Sequence, residues 1–228
     1  MKPLYRKILY IILWYIVYPN LWLLILAPDI YFKPENLIFL LTLLISYIMG
    51  IIDTIVRPFS ESIEEDWSIN RLYTLIILIL FLMNPIIIAL AFYESKLIIA
   101  NYFPIWDTLP VVILGILIFL IGGCITITGR YQLKQFGEGV LDVKDDQTLI
   151  TSGIFRYIRH PIYAGGVIGV IGFYLAFRSF FVLIVIWIIY FLIFRHRLLF
   201  EEKMMIEAFG DEYRKYMKQT KRLIPFIY

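Results

Sequence analysis

The chain has 228 residues, of which 61% are hydrophobic and 17% charged, whereas an average soluble domain carries roughly 25% charged residues. Its mean hydropathy is +0.81, and its charges crowd between apolar runs of about twenty residues, the pattern of a polytopic membrane protein. A single cysteine excludes an intrachain disulfide, and two histidines far from it offer no metal-ligand cluster, so no metal is expected.

The first apolar segment runs from Leu4 to Leu26 and ends at Pro28. It is too long for a signal-peptide core, and no small-residue cleavage site follows, so it is expected as a retained transmembrane helix. The second runs from Leu37 to Val56. A polar loop follows, Phe59 to Asn70, with the acidic cluster Glu61, Glu64, Glu65 and Asp66. The third, Leu72 to Tyr93, contains Asn84-Pro85, where the missing N–H predicts a kink. The fourth spans Pro110 to Thr128 and carries Cys124, expected as a small hydrophobe. The longest polar stretch is Arg130 to Arg159. Two shorter pieces follow, Ala164 to Phe177 and Phe180 to Phe194, split by Arg178-Ser179. At 1.5 Å per residue each is only about 21–23 Å long, against a hydrocarbon core of about 30 Å. They predict a helical hairpin that barely spans, or dips in and returns. In the tail, Arg195 to Tyr228, residues Leu198, Met205, Phe209, Tyr213 and Tyr216 approximate one helical face, which predicts a helix along the membrane surface.

With the N-terminus in the cytoplasm, 18 of the 21 Lys and Arg residues fall on the cytoplasmic side, and only Lys33, Lys96 and Arg178 fall outside. This bias predicts that both termini, the long loop and the tail share the cytoplasmic face.

The candidate chemistry lies in the last eighty residues. Thr151 to Pro161 leads into the hairpin, Gly165, Gly166, Gly169 and Gly172 follow, Arg195-His196-Arg197 precedes Glu201-Glu202, and Phe209-Gly210-Asp211-Glu212-Tyr213 lies near the end. Pro161 suits a first helical turn, whose free N–H groups favour an anion. The glycines admit either a neighbouring helix, as in Gly165-x-x-x-Gly169, or a flat ligand. Arg197 and Glu201 are spaced to pair along one helix. Two arginines, a histidine and two glutamates at a membrane exit are nonetheless costly without partners, which marks a candidate site.

The ordered set Gly-x-x-Arg-Tyr-x-Arg-His-Pro-x-Tyr-x-Gly (Gly153 to Gly165), Gly172, Glu201-Glu202, Phe-Gly-x-x-Tyr-x-x-Tyr (Phe209 to Tyr216) and Pro225 resembles the isoprenylcysteine carboxyl methyltransferase family and its phospholipid methyltransferase relatives. The resemblance covers about Ile113 to Tyr228. Together with the apolar runs it predicts an all-α polytopic membrane protein of about six transmembrane helices, the first three of which lie outside the resemblance. The last two would form a short hairpin, and the long loop and tail would form a cytoplasmic cofactor pocket. Residues 1–108 would be N-terminal transmembrane helices of unassigned role, and residues 109–228 a methyltransferase-like catalytic region. The implied cofactor is S-adenosylmethionine, and no Gly-x-Gly-x-x-Gly follows a strand. The residues carried over for it are Leu149, Thr151, Arg159, His160, Tyr163, Gly165, Gly172, Glu201 and Glu202. Arg195 and Arg197 would hold the carboxylate of a lipidic or prenylated acceptor that enters among membrane lipids, with no nucleic-acid partner. Two other readings stand beside this one. The ending Arg222 to Tyr228 is similar to NADPH-dependent membrane sterol and steroid reductases. A non-catalytic membrane protein is the third reading, although no inverted repeat supports a transporter.

Overall fold

A computed structural model describes residues 8–56, 67–133 and 148–223. The acidic cluster Glu61 to Asp66, most of the long polar loop and the closing Pro225 lie outside the described residues.

Most of the described residues are helical, as lipid requires when every backbone polar group must be satisfied within its own segment. Helix α1 covers Ile8–Leu26 and passes through a wider turn at Ile12–Val17. Helix α2 is Leu37–Val56. Helix α3 is Trp67–Glu94, prolonged by a wide turn at Ser95–Ile99. Pro85 sits inside α3 without ending it, and the Tyr18 hydroxyl donates to the nearby Leu82 carbonyl at 2.6 Å. Helices α4 (Leu109–Leu133), α5 (Pro161–Ala176) and α6 (Phe180–Gln219) complete the bundle. Among the described residues, five helices are long and apolar enough to cross a membrane, and α5 is a shorter apolar helix. The protein is thus an integral, multi-pass membrane protein, as its composition predicts.

Helices α4 and α5 pack backbone to backbone. Gly115, Gly122 and Gly129 recur every seven residues on α4 and face Gly172, Gly165 and Pro161 on the antiparallel α5. A Cβ at Gly115, Gly122, Gly165 or Gly172 would overlap the facing main chain. Small residues drive this close contact because lipid gives apolar helices no hydrophobic reason to associate. A second core joins the N-terminal helices to the hairpin. Phe39 of α2 meets the Phe92 ring of α3 at 5.0 Å and the Phe177 ring at 5.3 Å.

The hairpin reaches the far ends of its neighbours. Arg178, in a left-handed turn (φ 55°), pairs with Asp107 just before α4. The Glu94 carboxylate, at the end of α3, accepts from the Ser179 hydroxyl and from the N–H groups of Phe181 (2.7 Å) and Val182 (3.0 Å). A buried carboxylate thereby satisfies the otherwise orphaned first turn of α6.

One expectation needs correction. The last transmembrane helix does not end at Phe194. Helix α6 continues to Gln219, broken only at Gly210 (φ 52°, ψ −124°). The charges after Phe194 read as an exit from the membrane, but Arg197, Glu201 and Glu202 find partners within the protein, so the helix persists. At Gly210 the chain turns, and the helix beyond it packs through buried Tyr213 and Tyr216, the Tyr216 hydroxyl donating to the Phe155 carbonyl at 2.6 Å.

Candidate functional site

The site forms where three pieces of chain meet: the approach to α5, the middle of α6 and the end of the tail. The approach is set by a short turn, Gly153–Arg156, which the Gln132 side chain holds to the end of α4 by accepting the Ile154 N–H at 3.0 Å. The tail then pairs with the following residues: the N–H groups of Arg159 and His160 donate to the carbonyls of Lys221 (2.7 Å) and Arg222 (3.1 Å). This pairing fixes Arg159 and His160 just ahead of Pro161, the first residue of α5.

The charges interlock. Arg159 Nε donates to Glu202 Oε1 at 2.9 Å, and its Nη1 donates to the Met217 and Thr220 carbonyls at 3.1 and 2.5 Å. Arg222 reaches the other oxygen of Glu202 at 2.9 Å (Nε) and 2.7 Å (Nη2). Arg197 Nε donates to Glu201 Oε1 at 3.0 Å. The Tyr163 hydroxyl stands between them, accepting from Arg197 and donating to Glu201.

His160 lies between the two carboxylates. Its Nδ1 is 3.5 Å from Glu201 Oε2 and its Nε2 is 3.5 Å from Glu202 Oε1, yet the buried Nε2 lacks hydrogen-bond geometry to any partner. Burial alone would lower the His160 pKa; the carboxylates of Glu201 and Glu202 outweigh burial and raise it above the ordinary histidine value.

Three guanidinium groups therefore meet two carboxylates, and His160 adds a further positive charge when protonated. A cluster of this kind suits an anionic group on its ligand, and the orphaned His160 Nε2 offers a donor for it.

Arg159, His160, Tyr163, Glu201, Glu202 and Arg197 thus come together. Arg195 does not join them; it is exposed on another side of α6. Gly165 and Gly172 lie in the α4–α5 seam, where close helix contact accounts for both. Leu149 is half-buried and Thr151 exposed in the irregular stretch before the turn, and neither shares a hydrogen bond with the cluster. The sequence reading noted Arg222 only as part of an ending, and it did not single out Thr220. Contacts between residues some sixty positions apart leave no periodic signal, and only the charge of Arg222 was visible.

A cavity of about 400 Å³ lies beside the cluster, between the N-terminal helices and α4, α5 and α6. Its walls include Trp14, Tyr47, Phe81, Phe119, Phe173 and Tyr190.

Residues 110–212 match the phospholipid methyltransferase family. Among curated proteins, the chain is 33% identical over 82 residues to the protein-S-isoprenylcysteine O-methyltransferase of Schizosaccharomyces pombe, covering 36% of this chain and 35% of that protein. It is 31% identical over 115 residues to the enzyme of the same name from Rattus norvegicus, covering 50% of this chain and 40% of that protein. The chain thus spans well under two thirds of the length of these relatives. The solved structure of a eukaryotic intramembrane Ras methyltransferase, isoprenylcysteine carboxyl methyltransferase, superposes with a TM-score of 0.63 at 19% identity, covering 92% of this chain and 74% of that one. The resemblance carried by Gly153 to Tyr216 is borne out, and the shared fold extends to the N-terminal helices, which the sequence motifs left out.

Proposed function

We propose that this chain, whose residues 110–212 match the phospholipid methyltransferase family, is a membrane methyltransferase that uses S-adenosylmethionine to methylate the polar head of a lipidic acceptor, with an isoprenylcysteine-type carboxylate as the preferred class. The observation that carries this reading is the interlocked cluster of Arg159, His160, Tyr163, Arg197, Glu201, Glu202 and Arg222, with the buried His160 Nε2 lacking a hydrogen-bond partner at its centre.

The residues fit the cofactor. Arg159 and His160 would face its anionic end, while Glu201 and the Tyr163 ring favour a cation. When bound, S-adenosylmethionine supplies a methyl group activated by the positive sulfur, so attack by an ionised acceptor carboxylate forms the ester and leaves a neutral thioether, with no proton to move. No general base is needed for that acceptor. Arg197, already oriented by Glu201 and Tyr163, would hold the acceptor carboxylate. The mutual pairing of the cluster fixes these groups before ligands arrive, so alignment and exclusion of water are the main contributions of the protein. On this reading the cluster, the long loop and both termini are cytoplasmic, in keeping with the distribution of Lys and Arg.

The test is methyl transfer from S-adenosylmethionine to N-acetyl-S-farnesyl-cysteine by the full chain in lipid nanodiscs. The expected product is a base-labile methyl ester. A base-stable methylated product would overturn the carboxylate assignment, and no methyl transfer to any lipidic acceptor would overturn the enzyme reading.

A further inference from the structure

The glycines of α5 divide into two kinds. A Cβ at Gly165 or Gly172 would overlap α4, so packing requires glycine there. At Gly166 a Cβ would meet nothing nearer than Phe194 Cε2 at 3.9 Å, and at Gly169 nothing nearer than Phe119 Cδ2 at 3.9 Å. Both of these line the cavity. Neighbouring side chains leave room for a methyl at either position, so what these glycines keep clear is the cavity itself.

The cavity walls favour hydrocarbon. Four polar groups on the wall spend hydrogen bonds within the protein: Tyr18 to the Leu82 carbonyl, Ser46 to the Leu43 carbonyl, Thr126 to the Ile162 carbonyl, and Asp53 to Arg130; the Asn84 amide also lines the wall. What remains is largely aromatic, and a volume of about 400 Å³ lies within the range of ligand pockets, roughly 300–1,000 Å³.

The cavity adjoins the charged cluster across one ring. Phe194 faces Gly166, packs on Tyr190 at 5.3 Å between ring centroids, and packs on Tyr163 at 5.2 Å. Tyr190 lines the cavity, and the Tyr163 hydroxyl binds Glu201 and Arg197. A ligand with an apolar tail in the cavity would place its polar head beside Arg197 on the other side of Phe194.

We propose that Gly166 and Gly169 of α5, walled by Trp14, Tyr47 and Phe81 of the first three helices, gauge the apolar tail of the acceptor, and that Phe194 sets the boundary between tail and reacting head. This rests on the methyltransferase reading for the identity of the head, and it assigns the N-terminal helices the task of enclosing the tail.

The test measures thermal stabilisation of the full chain in nanodiscs by N-acetyl-S-farnesyl-cysteine without S-adenosylmethionine. Calorimetric S-adenosylmethionine binding is measured in parallel as the folding control. Gly169→Leu and Gly166→Leu are expected to raise the half-saturating concentration at least about tenfold, the scale of a filled apolar subsite. Gly169→Ala, which fits the space, falls between, and the Leu variants still bind S-adenosylmethionine. Phe194→Ala is expected to admit tails longer by one isoprene unit. Wild-type affinity in both Leu variants would overturn the proposal. So would loss of a co-purifying phospholipid from those variants with farnesyl-cysteine binding intact, since the cavity would then hold bilayer lipid. Glycine-sensitive farnesyl-cysteine binding by a chain that binds no S-adenosylmethionine would support the tail site and overturn the methyltransferase reading alone.

Discussion

The two ends of the helical bundle carry similar residues arranged to different effect. At one end Asp107 pairs with Arg178, Glu94 accepts from Ser179, and Lys96 lies over the Phe39 ring at 5.5 Å. Each group there serves the chain: Glu94 caps α6, and Arg178 stacks 4.8 Å from the Phe39 ring while pairing with Asp107. At the other end Arg159, Arg197 and Arg222 converge on Glu201 and Glu202, around His160. An orphaned buried atom does not separate the two, because Arg178 Nε is one and His160 Nε2 is another. Composition and role do. The first set caps α6 and ties it to the chain before α4, and the second gathers three arginines and two carboxylates around His160 from three separate pieces of chain.

The comparison is broken most severely by removing its central carboxylate. Glu202→Ala leaves Arg159 and Arg222 facing each other in a buried site, so unfolding is expected to become easier by about 3–5 kcal/mol. Thermal unfolding checks this, and an unchanged midpoint would show that the cluster is not tightly paired. Glu94→Gln at the other end weakens the cap of α6 and is expected to cost about 1–3 kcal/mol. S-adenosylmethionine affinity should stay unchanged in that variant, and a weakened affinity would mean that the two ends are not separable.

A pH series sharpens the contrast, because only one end holds a histidine. The pKa of His160 is raised in the folded protein, so its charge stabilises the fold fully below the unfolded value of about 6.5. That contribution is lost as pH rises through the folded value. The unfolding midpoint of the wild type should therefore fall across this window and that of His160→Gln should not; parallel curves would contradict the assignment. The smallest effect is expected for Arg195→Ala. Exposed on α6, Arg195 should contribute within about 0.5 kcal/mol to stability and leave methyl transfer nearly unchanged. Arg197→Ala, two positions on, should lose most of the activity.

Much of this was legible in the sequence. The run Leu37 to Val56 gives both ends of α2, and the run from Phe180 gives the start of α6 but not its end, because lipid admits long apolar stretches only as helices. Pro161 marks the start of α5 for a local reason, its preset backbone angle. The site residues with charge were visible because charge beside a membrane span is costly. What stayed hidden depends on tertiary contact. The seam of Gly115, Gly122 and Gly129 looks like ordinary apolar helix until α5 is laid against it. The extension of α6 past Phe194 depends on partners for Arg197, Glu201 and Glu202 that come from two other segments. Glu94 reads as the polar end of a helix, and only the fold reveals that it caps a different one.

The most direct measurement is calorimetric binding of S-adenosylmethionine, with NADPH as the competing ligand, to purified full-length chain in detergent, comparing wild type with Glu201→Ala and Glu94→Gln. The account predicts saturable S-adenosylmethionine binding that is lost in Glu201→Ala and retained in Glu94→Gln, with no NADPH binding. Binding of NADPH alone, or S-adenosylmethionine binding indifferent to Glu201, would contradict it.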